Sequence, residues 1–357
     1  MTRFHAPATP RPLHVGFMPL LDAAPLVAAA RLGLDRRHGI ALQLHRQASW
    51  AALRDRLLSG ELDAAHAMAA MVLGVQTGIA GPRADLAVLA GLNRNGQAIA
   101  LAPPLADALA QGRPLREALR ALPRRPVFAQ TFPTGTHALW LYHWLAAQGV
   151  DPMRDVAAVT LPPPQMPQAL ATGELDGFCA GEPWGEHAEA LGAGRRVVRS
   201  GRIWPGHPEK VLACRRDFAA LQPELAVALT AAVLEACRWL DEDAGHRRRA
   251  AEWLAAPEVI GLPAARLAAG LLPRPGEVPE EALRFHDRGE ANFPWVSDGR
   301  WFLAQFRRWG WLAHAEDGDA WLADVYRRDL WAQAARLAGV AVPAQDTRPD
   351  APVALPA

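Results

Sequence analysis

Only four serines and a single lysine occur among the 357 residues of this chain. None of the serines (Ser49, Ser59, Ser200, Ser297) stands in a G-x-S-x-G string, which excludes the nucleophile elbow of an α/β-hydrolase. The lysine, Lys210, follows Glu209 rather than a glycine-rich loop, so there is no G-x-x-x-x-G-K-[ST] phosphate cradle. The glycines of Leu191-Gly192-Ala193-Gly194 lack a third member and precede a strand signal, which removes a dinucleotide fingerprint. H-E-x-x-H and EF-hand patterns are missing. His137 and His143 are six apart, point to different faces of a helix and make a poor metal pair.

Cysteine is scarce too. Cys179, Cys214 and Cys237 are far apart and never form C-x-x-C, so neither a disulfide framework nor a zinc knuckle is expected; they read as small buried hydrophobes in a reducing compartment. An excess of charge of one sign is also lacking. Lys+Arg 38 against Asp+Glu 37 leaves a formal net charge of +1, whereas binding nucleic acid by phosphate neutralisation calls for a basic surplus. Direct contact with nucleic acid is therefore not expected. No apolar run is long and charge-free enough to span a bilayer. The first twenty residues contain prolines and two histidines but no apolar core, twin arginine, small-residue cleavage site or lipidatable cysteine. The expected location is the cytoplasm.

What is present is an alternation of strand and helix signals. Leu13–Phe17, Ile40–Leu44, Asp63–Ala70 and Leu86–Leu92 read as strands, with helices at 23–34, 50–58 and 72–78 between them. Ser49 stands where an N-cap belongs. After the proline-bracketed stretch 103–126 a second series follows, with strands at 127–130, 156–161, 177–180 and 196–199 and helices at 136–148 and 165–172. A return strand is expected at 210–214, and mostly helix thereafter. Two α/β lobes with a chain that returns to the first describe a hinged protein with a cleft. The division expected is 1–100 plus 202–345 for the first lobe, 101–201 for the second, and a disordered tail at 346–357.

Lys210 is the only lysine among 38 basic residues. Where arginine serves every generic need for positive charge, a retained lysine suggests a site that wants a compact point charge; chance and a surface position explain it about as well from composition alone. Its context, Trp204-Pro205-Gly206-His207-Pro208-Glu209-Lys210, feeds a strand at the lobe crossover, where ligand clefts lie. In Thr131-Phe132-Pro133-Thr134-Gly135-Thr136-His137, glycine and small hydroxyl residues open a helix, a ready anion site. Taken singly that string more often means an ordinary N-cap. Trp50 at helical spacing is usually core, and the N-x-N-G-Q string ending at Gln97 is usually a turn.

Several strings in order give a sharper indication. G-F-M-P-L-x-D-A-A-P-L-V (16–27), S-W-x-x-L-R-D (49–55), L-N-x-N-G-Q-A-I (92–99), T-F-P-x-G-T-H-x-L-W-L (131–141), P-P-P-Q-M (162–166), D-x-F-C-x-G-E-P-W (176–184) and H-P-E-K (207–210) resemble the nitrate-binding solute-receptor family, from about residue 13 to residue 340. The resemblance implies a two-lobed α/β fold of the periplasmic-binding-protein type II kind, no catalytic residue and no cofactor. It implies that nitrate or nitrite is held by Trp50, Gln97, His137 and Lys210, with Gly96 and Thr136 adjoining. Lys210 would balance the ion's charge, Trp50 would offer a flat wall, and Gln97, His137 and backbone N–H groups would satisfy the oxygens. The bicarbonate-binding branch resembles this pattern but carries an acidic residue in place of the lysine. The family includes exported receptors of ABC importers and cytoplasmic nitrate/nitrite sensors. The composition of the N-terminus points to the sensors, which silence an ANTAR-type RNA-binding antiterminator until the anion arrives. An importer subunit is the alternative, and a pyridoxal-phosphate enzyme of the thiamine-pyrimidine type, with Lys210 as its Schiff-base lysine, is a distant third. The tryptophans of the C-terminal region (Trp295, Trp301, Trp309, Trp311, Trp321, Trp331) are a candidate partner surface, with packing against the lobes as the preferred reading.

Overall fold

Two five-stranded sheets organise the chain, in a computed structural model that describes residues 9–79, 81–274, 276–313 and 319–348. The first has the order β2-β1-β3-β10-β4, built from β1 (Arg11–Phe17), β2 (Ile40–Arg46), β3 (Ala64–Met68), β4 (Leu86–Gly91) and β10 (Lys210–Arg215). The second has the order β7-β6-β8-β5-β9, from β5 (Gln97–Leu101), β6 (Val127–Gln130), β7 (Ala157–Thr160), β8 (Gly177–Gly181) and β9 (Arg195–Arg199). β1 runs parallel to β2 and β3, and β6 parallel to β7 and β8. Each sheet also takes in one strand antiparallel to both neighbours. This is β10 between β3 and β4 in the first sheet, and β5 between β8 and β9 in the second. Runs such as Ala64–Met68 and Gly177–Gly181 are buried on both faces, as helix-covered parallel strands require.

The two antiparallel strands mark where the chain crosses from one unit to the other, at 92–96 and at 200–209. The first crossing differs from the sequence reading. The strand Gln97–Leu101, not expected from the sequence and cut by the expected boundary after residue 100, is the second strand from one edge of the second sheet, pairing with Gly177–Gly181 and with Arg195–Arg199. A short run that opens on a polar residue straight after a turn does not announce a strand or the sheet it joins; pairing partners distant in sequence do. The turn needs left-handed backbone at Asn95 (φ 61) and Gly96 (φ 97). Asn95 Nδ2 secures it through the carbonyls of Glu280 and Ala282, at 2.8 Å and 2.7 Å.

Three helices aim their N-termini between the sheets: Trp50–Ser59, Ala69–Thr77 and Thr136–Ala147. Ser49 caps the first, its Oγ accepting from Ala52 N at 3.1 Å. The second carries Gly74, where a Cβ would come within 2.2 Å of Thr134 Oγ1 of the second unit. Only hydrogen lets the units approach so closely. Backbone contacts add to this, with Leu21 N donating to Glu182 O at 2.9 Å and Trp184 Nε1 to Pro19 O at 2.9 Å.

The helix Val296–Arg308 buries Phe302 and Phe306 in the core of the first unit, while Trp301 on another side packs against the second. Trp301 stacks on Trp140 at 5.3 Å and meets Trp204 at 4.8 Å, while Tyr142 meets Trp309 and Trp311, each at 5.7 Å. These tryptophans are packing residues between the units. The tail also differs in part from expectation. Arg348 is buried, its guanidinium 5.1 Å from the Trp204 ring and its N–H donating to Ser297 Oγ; 349–357 lie outside the described residues. All three cysteines are buried.

Candidate functional site

Gln97 and Lys210 are the first residues of β5 and β10, so each stands where a crossing strand enters its sheet. In an open α/β sheet the crevice beyond the strand ends, at such a switch in strand order, is where ligands bind. Trp50 and Thr136 are first residues of two of the converging helices, with His137 next to Thr136. The structure brings Trp50, Gln97, Thr136, His137 and Lys210 together. Gly96 lies on their flank, its carbonyl accepting from Glu182 N, and a Cβ there would meet the side chains of Leu283 and Asn93.

Lys210 is fully buried, and its charge is already met. Its Nζ lies 3.0 Å from Asp22 Oδ2 and 2.5 Å from Glu209 Oε1, with Asp22 and Glu209 only 2% and 1% exposed. It also sits 5.6 Å from the centre of the Trp50 ring, a cation–π distance. The sequence reading has Lys210 balancing the ion's charge, and the geometry adds two carboxylates that already pair with it. A desolvated ammonium with no counter-charge costs several kcal/mol, and the fold supplies two carboxylates instead. Asp22 stands in the quoted motif 16–27 and Glu209 in H-P-E-K, yet pattern reading gave neither a role. A carboxylate beside a lysine in sequence usually means a solvated surface, and nothing in spacing reveals that Asp22 packs against Lys210.

The rest of the cluster continues this network. Asp22 Oδ1 is 2.8 Å from His66 Nε2. Thr136 Oγ1 donates to Glu209 Oε1 at 2.6 Å and accepts from Gln97 Nε2 at 3.3 Å. Thr131 Oγ1 and His137 Nδ1 are 2.6 Å apart. If the hydroxyl donates, the neutral ring carries its proton on Nε2, which lies 3.9 Å from Glu209 Oε1. Trp140 Nε1 donates to Glu209 Oε2 at 3.4 Å. Three buried polar atoms here, Trp50 Nε1, Gln97 Oε1 and His137 Nε2, have no hydrogen-bond partner among the described residues. Buried groups of this kind are normally satisfied, so three converging ones mark a place for a polar guest.

Burial presses on every ionisable group at this point. It pushes Asp22 up, but Lys210 and His66 override it and hold that carboxyl well below the usual range. Burial pushes Lys210 down, yet Asp22 and Glu209 raise it and keep it an ammonium. Glu209 goes up, because burial outweighs Lys210 and the hydrogen bonds it accepts. His66 and His137 go down, with burial as the main cause, and His207 falls to about 3. The histidines are therefore neutral near pH 7. The positive elements are Lys210 and the N-terminal ends of three helices, each equivalent to roughly half a unit charge.

Comparison with known proteins follows the same lines. The chain is similar to the nitrate/nitrite binding protein NrtA of Synechocystis sp., 34% identical over 354 residues, 95% of this chain and 78% of that protein. It is 34% identical over 339 residues to the nitrate import ATP-binding protein NrtC of the same organism, covering 92% of this chain but spanning about half (50%) of that protein's length. The crystal structure of the periplasmic nitrate-binding protein NrtA from Synechocystis superposes with a TM-score of 0.88 at 32% identity, covering 96% of this chain and 94% of that one. The two-lobed, periplasmic-binding-protein-like α/β architecture is thus shared over nearly the whole length. Residues 6–255 match the NMT1-like family, and with both units of the fold accounted for, the chain belongs to the NMT1-like family, in the group of NrtA-like solute receptors.

Proposed function

We propose that this chain is a receptor that closes on nitrate or nitrite between its two units, held by Trp50, Gln97, Thr136, His137 and Lys210 with Gly96 alongside. The carrying observation is the convergence of a buried ammonium, three helix N-termini and the unsatisfied Trp50 Nε1 and His137 Nε2. Two N–H donors and a cation suit an acceptor-only, mononegative guest. Isothermal titration with nitrate, nitrite and bicarbonate tests it, alongside tryptophan fluorescence. Micromolar binding of the nitrogen oxyanions that disappears in Lys210→Ala is expected; silence toward both anions would end the proposal.

The role proposed for that binding is a cytoplasmic sensor's, in which the anion-free protein sequesters an ANTAR-type antiterminator. The motif series and the near-neutral charge balance support it, since the partner and not this chain would then touch RNA. The second reading, a receptor subunit of an ABC importer, is favoured by similarity to the periplasmic NrtA. Among the described residues no helix is long and apolar enough to cross a membrane, which suits either. Co-purification from native cells separates them: nitrate should release an RNA-binding protein in the first case and leave a membrane complex attached in the second. The pyridoxal-phosphate reading finds little support. A Schiff base needs an unprotonated amine, and the two carboxylates hold Lys210 as an ammonium.

A further inference from the structure

We infer that Glu209 is an internal competitor of the anion: its carboxylate occupies two of the groups an incoming oxyanion needs, the Lys210 ammonium and the Thr136 hydroxyl, and the anion binds to the form of the protein in which Glu209 has taken up a proton from solution. The inference rests on the reading of the site as an oxyanion site, and on geometry that makes Glu209 a stand-in for the guest. Its Oε1 accepts from Lys210 Nζ at 2.5 Å and from Thr136 Oγ1 at 2.6 Å, and faces His137 Nε2 at 3.9 Å. Its Oε2 accepts from Trp140 Nε1 at 3.4 Å and lies 3.9 Å from His207 Nδ1. Lys210 belongs to the first sheet, while Thr136, His137 and Trp140 share a helix of the second unit. One carboxylate therefore bridges the units and the crossing segment, the task a bound oxyanion performs in a closing receptor.

Counting charge gives the reason for the proton. The groups facing Glu209 are Lys210 from β10, Asp22 from the turn after β1, His137 from its helix, His207 from the crossing segment and the Cys179 thiol from β8. Asp22 is ionised, the histidines are neutral, and the thiol is held protonated by burial and by Glu209. With Glu209 ionised the cluster has two carboxylates against one ammonium, so an added anion would be a third negative group beside a single cation. Like charges in one buried site cannot all stay ionised. The group that yields is Glu209, which burial already tilts toward its neutral form. One proton moves from solvent to the Glu209 carboxylate, and no bond to the anion forms or breaks. The neutral carboxyl can then donate a hydrogen bond to the guest.

The test is calorimetry with sodium nitrate and sodium nitrite on the full chain, wild type and Glu209→Gln, between about pH 5.5 and pH 8.5 in buffers of different ionisation enthalpy. In wild type, the dissociation constant should rise with pH by up to about tenfold per unit, with close to one proton taken up per anion. Glu209→Gln, which keeps the shape without the charge, should bind at least about tenfold tighter at the alkaline end, with a flat pH profile and no proton uptake. Binding without proton uptake in wild type overturns the inference and leaves the oxyanion reading standing. Proton uptake that persists in Glu209→Gln assigns it to a histidine and overturns it as well. If neither protein binds either anion, the oxyanion reading falls and takes this inference with it. The wild-type buffer comparison needs no variant, so a misfolded Glu209→Gln would not protect the idea.

Discussion

Asp22 holds two buried partners, Lys210 at 3.0 Å on one oxygen and His66 at 2.8 Å on the other. Removing one member of a buried pair typically costs about 3 to 5 kcal/mol, because the survivor keeps its desolvation cost. Asp22→Asn should therefore lower stability in urea by about 3 kcal/mol, offset in part by the Glu209 carboxylate that still faces Lys210. A loss well under 1 kcal/mol would mean that the pair is not buried as described.

The titrating side chains also give the protein's stability a direction with pH. His66, His137 and His207 have folded pKa values below their ordinary value. Below about pH 6.5 the unfolded chain binds protons there that the folded chain does not, so stability falls as pH falls. Asp22, held low, acts in the same sense below the ordinary carboxylate range. Glu209 and Glu186, both raised, act oppositely between their folded and unfolded values, two carboxyls against these three histidines and the likewise lowered His45, His143, His187 and His286. The urea midpoint should thus decline between about pH 7 and pH 5, and a midpoint that rises over that interval would contradict the neutral histidines.

Among the elements, the helix Ala69–Thr77 offers the clearest separation of fold from closure. Gly74 sits in its interior, where alanine favours the helix by about 1 kcal/mol. The added Cβ, however, would fall 2.2 Å from Thr134 Oγ1 and 2.7 Å from Thr134 Cβ, short rigid atoms of the facing unit. Gly74→Ala should leave the melting temperature unchanged or raised while weakening oxyanion binding. An unaffected affinity would show that the units need not approach this far.

Element by element, the strands of both sheets except Gln97–Leu101 follow from alternation and apolar runs, and Ser49 caps its helix as its position predicts. Gln97–Leu101 shows the limit. The string ending at Gln97 reads as a turn, and only partners on β8 and β9 make the residues after it a strand of the second unit. Residues at element starts (Trp50, Gln97, Thr136, Lys210) were findable because motif strings cross element boundaries. Asp22, His66 and Glu209 were not, since their roles come from pairings across long sequence separations. The preferred reading of the C-terminal tryptophans, packing against the lobes, holds for Trp301, Trp309 and Trp311, but their partners Trp140, Trp204 and Tyr142 lie too far away in sequence for any pattern to name them.

Across the whole molecule, among the described residues, two backbone segments pass between the sheets, at 92–96 and at 200–209, and side chains of the helix Val296–Arg308 are among the further contacts that join the units. Trp301 packs between the units, against Trp140 of the second unit and Trp204 of the crossing segment. Trp301→Ala should therefore enlarge the radius of gyration of the anion-free protein in small-angle scattering and bring it back toward wild type with saturating nitrate. A radius indifferent to the substitution would place the hinge's restraint elsewhere.

Lys210 is also the one side-chain amine the chain possesses. Acylating reagents that label proteins indiscriminately have here a single internal target, shut away whenever the halves are together. The mass increment from that one acyl group is consequently a stopwatch for parting of the halves, needing neither probe nor mutation, and a saturating guest should slow it.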